Sequence, residues 1–163
     1  MLAVALYDVV EALHIMVVVA ALGLPTAYPL LVPSARSAHP RAMPAVHDFQ
    51  HRLNQRLTAP GTVLILLFGA YLATKRDLWG ETWVTVPLVL LLGIGGIGGA
   101  IVIPATRRLS ELASRDITRS DAPGAVTFSA EYEAQYQRYM RFEILLAVLV
   151  LVAIFFMAAR PFS

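Results

Sequence analysis

The chain has 163 residues, of which 58% are hydrophobic and only 15% charged; ordinary soluble domains carry about 25% charged residues, so a conventional water-soluble fold is excluded. Four membrane spans of about 20 residues with their connections consume nearly the whole length, leaving no room for a separate soluble domain, and residues 1–163 read as one integral membrane domain. Cysteine is absent, which removes disulfides, thiolate metal sites and cysteine nucleophiles, and a formal net charge of +2 borne almost wholly by arginine reads as membrane topology, with no nucleic acid implied.

The first predicted span covers 2–32. Its start lacks a basic region and a small-residue cleavage site and carries Asp8 and Glu11 instead, so a retained span is expected, not a signal peptide. Pro25, Pro29 and Pro33 should kink or end it. Asp8, Glu11 and His14 follow one another at three-residue spacing and form a slanting ridge on one helix side. A charge at the bilayer centre costs about 2.5–3.5 kcal/mol, so the ridge is expected to face the bundle interior. His14 lies roughly 18 Å along from Leu2, near mid-bilayer, while Asp8 and Glu11 lie closer to the surface, within range of Lys75 or Arg76. For His14 the structural alternative is a hydrogen bond to a carbonyl of a neighbouring helix.

The second span, 44–74, joins a polar stretch bearing His47, Asp48, His51, Arg52, Asn54, Gln55 and Arg56 to the apolar run Gly61 to Ala73, with a bend expected at Pro60. His47 and His51 are four apart and present both imidazoles on one face, with Asp48 beside them, a spacing that suits a metal or haem. If the helix enters the membrane only near Thr58, both are cytosolic and solvated. The third span, 83–105, contains Gly93 to Ala100, in which Gly95 and Gly99 have the four-residue spacing of a tight helix-packing seam. The fourth, 129–160, opens with a polar stretch carrying Tyr132, Tyr136 and Tyr139 and continues through Glu143 into an apolar run. The tyrosines are expected to anchor the helix at the membrane boundary, with Glu143 paired to Arg56, Arg107 or Arg108; the other reading of this face is a polar vestibule for a quinone-like head group.

Arginine sets the expected orientation. Arg36, Arg41, Arg52 and Arg56 lie between spans one and two, and Arg107, Arg108, Arg115, Arg119, Arg138 and Arg141 between three and four, against Lys75, Arg76 and Arg160 on the other side. By the positive-inside rule both termini lie outside, in a bacterial inner membrane, with Trp79 and Trp83 in the outer aromatic belt. There is no phosphate loop, no Gly-x-Ser-x-Gly elbow and no His-Glu-x-x-His motif, so no catalytic residue is assigned and enzymatic activity is left open.

The run His14 to Gly23, the stretch Tyr28-Pro29-Leu30-Leu31-Val32-Pro33, the Arg56-Leu57-Thr58-Ala59-Pro60-Gly61 entry and Gly95 to Arg108 together resemble the uncharacterised bacterial DUF2269-type predicted integral membrane proteins. That family brings no established activity. More distantly, the Leu13-His14 pair is similar to CopD-type copper-resistance membrane domains and HemJ-type protoporphyrinogen oxidases, although the tryptophan and the Tyr-Leu-Pro-Arg run of the latter are missing. This likeness implies His14 as an axial ligand.

The expectation is therefore a four-transmembrane-helix bundle, all-α, with a polar intramembrane site around His14. Its ligand would be a b-type haem or another tetrapyrrole in a redox or carrier role. His14, His47 and His51 are the candidate metal or haem ligands, with His47, His51 or an uncharged donor opposite His14, and Arg52 or Arg56 would neutralise propionates. Two alternatives stand beside it. One is an accessory subunit of a homo-oligomer or larger membrane complex, packed through Gly95 and Gly99 and bound to anionic lipid. The other is a small transporter exchanging protons at Asp8, Glu11 and Glu143.

Overall fold

The computed structural model describes residues 5–120 and 126–161, so the first residues of the predicted span 2–32 fall outside the described residues. Those described are almost entirely helical, with no strand among them: α1 (Leu6–Thr26), α2 (Tyr28–Ala38), α3 (Pro40–Lys75), α4 (Thr82–Thr118) and α5 (Ala130–Ala159). Of these, α1, α3, α4 and α5 are long and apolar enough to cross a membrane, and the chain is a multi-pass helical membrane protein.

Helix length divides the molecule into two storeys. The 21 residues of α1 extend about 32 Å, close to the roughly 30 Å of a hydrocarbon core, whereas the 36 of α3 and 37 of α4 extend about 55 Å. The excess lies at the arginine-rich end. There α2, the first part of α3 (Met43–Leu53), the second part of α4 (Ile103–Thr118) and the start of α5 enclose a core of Tyr28, Val32, Met43, Leu109, Leu112, Tyr132 and Tyr139. A smaller core of Ala21, Leu22, Ile65, Leu91, Ile94 and Val150 occupies the membrane storey.

Three local features, two of them departures from the sequence reading, have physical causes. The third span does not stop at 105. Ala105, Leu109, Leu112 and Ala113 recur at helical spacing and bury against α3, so much of the expected connection is amphipathic helix. The first span does end near Pro25: α1 stops at Thr26, and α2 restarts at Tyr28 with Pro29 in its first turn, where a missing N–H costs nothing. The bend expected at Pro60 takes the form of a π turn, Asn54–Thr58, and a second π turn, Gly98–Val102, precedes Pro104 in the same way. In each the residue before the proline donates to the carbonyl five back, Ala59 to Asn54 and Ile103 to Gly98. Proline has no N–H and crowds the carbonyl four back; widening the turn relieves both and lets the helix continue.

In the membrane storey α1 packs closely on the second part of α3, and the first part of α4 on α5, while the two pairs touch each other loosely. The closest approach is at Gly61, where a methyl group would overlap the Cβ of Ala21; a Cβ on Gly69 would stand 3.3 Å from Cε1 of His14. The tight seam therefore runs between α1 and α3. The seam expected at Gly95 and Gly99 is formed in part: a Cβ on Gly95 would meet Thr62 Cγ2 at 3.4 Å, whereas one on Gly99 would meet nothing within 4 Å.

Candidate functional site

A buried hydrogen-bonded chain links α3 to α5 in the arginine-rich storey. His47, with 0% of its surface exposed, places Nδ1 3.1 Å from Gln50 Oε1 and Nε2 3.0 Å from the Tyr132 hydroxyl; Gln50 Nε2 donates to the Tyr139 hydroxyl at 2.7 Å. An amide oxygen can only accept, so His47 donates from Nδ1 and accepts at Nε2 from Tyr132. Tyr139 accepts from Gln50 and lies near Glu143, one helical turn on. The bonds thus have one direction, from Tyr132 through His47 and Gln50 to Tyr139.

Aromatic packing closes the chain from water. Phe128 stacks on Tyr132 at 4.3 Å between centroids and Tyr132 on Tyr136 at 5.9 Å. The Arg36 guanidinium lies 4.5 Å from the Tyr136 centroid and pairs with Glu133. The expected tyrosine anchor is therefore replaced by a core: Tyr132, Tyr136 and Tyr139 are all buried. His47, expected to be solvated, is buried because this stripe needs a polar partner on α3.

Glu143 lies at the foot of a cavity of about 400 Å³ between the two helix pairs. It is 3% exposed and its Oε1 has no hydrogen-bond partner. The expected arginine partners are occupied or turned outward: Arg107 pairs with Glu111, Arg108 with Glu131, and Arg56 is exposed. Asn54 and Thr58, both from the first π turn, reach the same cavity, and the Thr58 hydroxyl is also unpartnered. The second π turn brings Gly98, Gly99 and Val102 to the opposite wall. The rest is apolar, apart from Thr26 and Thr62, whose hydroxyls bond to backbone carbonyls one turn back in their own helices. Tyr28, outside the spans, has a buried hydroxyl without a partner; burial first, then the Glu143 carboxylate, pushes its pKa up, so it stays a neutral donor.

His14 occupies a second cavity of about 410 Å³, separated from the first by a shared partition of Leu22, Leu66, Leu91, Ile94 and Val150. Its ring faces the Ile65 carbonyl and its Nδ1 has no partner. The three candidate histidines do not converge. Gly69, which His14 touches, and His47 belong to one helix and lie roughly 33 Å apart along it. His51 is engaged at Nδ1 with the Ile103 carbonyl at 3.0 Å. Arg52 is exposed and pairs with Asp48, and among the described residues no arginine or lysine lines the His14 cavity. Among the described residues no three His, Asp or Glu side chains form a metal-holding group. These residues do not fit a haem ligated by His14 and a second histidine with Arg52 or Arg56 on its propionates.

The remaining ridge residues are also placed otherwise than expected. Among the described residues no ion pair joins Asp8 or Glu11 to Lys75 or Arg76; Arg76 stacks 4.0 Å from the Tyr7 centroid and Lys75 lies 5.7 Å from that of Tyr71. Gln50, Tyr28, Arg36 and Thr58 were not singled out by the sequence. Gln50 stands three residues from His47, and that spacing was the available signal. Comparison with protein-family models, curated proteins and solved structures finds no match to this chain.

Proposed function

We propose that this protein binds an apolar molecule with a small polar head, taken up sideways from the bilayer into the cavity above Glu143. The observation that carries the reading is the distribution of polarity: apolar walls rise from a foot lined by Glu143, Asn54 and Thr58, with Glu143 Oε1 and the Thr58 hydroxyl unpartnered just behind it. Such a distribution is typical of ligand sites, which are mostly apolar with a few placed polar groups. Glu143 inside a span is itself a functional signal, since an ionisable side chain there is costly to keep. The loose meeting of the two helix pairs supports lateral access. This reading displaces the tetrapyrrole expected at His14, whose proposed partners lie too far away. We further propose that the setting is a bacterial inner membrane with both termini outside, which puts Glu143 near the cytoplasmic face; the gathering of the arginines in one storey supports this orientation.

Photolabelling in lipid nanodiscs tests the cavity. A long-chain diazirine lipid should label the partition residues Leu66 and Leu91, and Gly98→Leu, which grows a side chain where a Cβ meets nothing within 4 Å, should remove those adducts. Labelling confined to outward residues such as Val89 and Leu151, unchanged by Gly98→Leu, would refute the reading.

A further inference from the structure

We propose that the Glu143 cavity selects apolar molecules whose head carries a free hydroxyl, such as quinols and isoprenoid alcohols, over the matching quinones and ethers. The inference rests on the apolar-ligand reading and adds the chemistry of the head.

It follows from which hydrogen bonds are already made. The hydrogen-bonded chain from Tyr132 runs in one direction and ends at the Tyr139 hydroxyl, which lies near Glu143. That leaves Oε1, buried and unpartnered, as an acceptor waiting for a donor. Among the described residues no ion pair reaches Glu143, and the donors open to Oε1 are the unpartnered Tyr28 hydroxyl nearby and whatever enters the cavity. Asn54 and Thr58 add groups that can donate to whatever enters. A hydroxyl is the smallest head that meets both demands, since its one proton goes to Glu143 while its lone pairs accept from the Asn54 amide or the Thr58 hydroxyl. A quinone carbonyl or an ether oxygen only accepts, and leaves Glu143 Oε1 desolvated beside it. An alkyl chain behind the head then fills the apolar shaft as far as the Leu22, Leu66 and Leu91 partition. The first π turn holds Asn54 and Thr58 at the cavity, and a head group reaches Oε1 and the Thr58 hydroxyl, which lie just behind the cavity surface, when these side chains turn toward it.

The test is a binding series on the full chain in nanodiscs, by isothermal titration under anaerobic conditions. It uses geranylgeraniol against its methyl ether, and a short-tailed quinol against its quinone. The hydroxyl-bearing member of each pair should bind about 10- to 100-fold more tightly, the ratio expected when a buried acceptor is left unsatisfied. In Glu143→Met, similar in shape but without the acceptor, the ratio should collapse toward one while the ether keeps its affinity. Equal wild-type affinities within each pair would overturn the head-group inference and leave the apolar cavity standing; this comparison does not depend on the variant folding. A ratio that survives Glu143→Met would also overturn it. Failure of all four compounds to bind would overturn the apolar-ligand reading itself.

Discussion

Replacing Gln50 by leucine cuts the buried chain at its middle with little change in side-chain volume. His47, Gln50 and Tyr139 are each at most 1% exposed, so water cannot replace what is lost. His47 Nδ1 then has no acceptor, which costs about 1–3 kcal/mol for an orphaned buried donor, while the Tyr139 hydroxyl loses the bond it accepts, a net loss of about 0.5–1.5 kcal/mol. Together the loss is about 2–4 kcal/mol, offset slightly by the apolar leucine. Unfolding in mixed micelles with increasing SDS, followed by circular dichroism, measures it. Adding His47→Leu to Gln50→Leu should cost less than the sum of the single changes by about 1 kcal/mol or more, because the orphaned ring is removed with its partner. A Gln50→Leu protein within about 0.5 kcal/mol of wild type would refute the argument that these bonds are made and dry.

Two further outcomes follow from packing and charge. Gly61→Ala and Gly98→Ala gain the same helix propensity, up to about 1 kcal/mol, but only the first drives a methyl into Ala21; the same SDS titration should find Gly61→Ala less stable than Gly98→Ala by about 1–3 kcal/mol, the usual cost of overpacking, and equal stabilities would deny the close approach of α1 and α3. Because the chain has no cysteine, Gly80→Cys and Ser37→Cys each provide a single thiol. An impermeant maleimide applied to intact cells should label the first and spare the second, and the opposite pattern would reverse the proposed orientation.

The spans were legible because hydropathy over some 20 residues is a strong signal that needs no tertiary context. Pro25 marked the end of α1 for the same local reason. The interior of the arginine-rich storey was less legible. Segment 106–118 looks polar residue by residue, and only its pairing with Met43–Leu53 reveals which face is buried. His47 and Tyr132 are far apart in sequence, and neither announces that the other satisfies it. His14 drew attention because its isolation in an apolar run is conspicuous, whereas Glu143 had nearby arginines that could have neutralised it and in the fold pair elsewhere or turn outward.

The aromatic storey also constrains how the protein can be made. Its walls come from four stretches that are distant in sequence, and the one carrying Tyr132, Tyr136 and Tyr139 is on the last of the described helices to leave the ribosome. Until α5 is threaded, Met43 and Leu109 lack their cover and His47 lacks Tyr132. Biogenesis must therefore hold three helices with an open, apolar end, a state in which proteases and chaperones can distinguish an unfinished chain from a finished one.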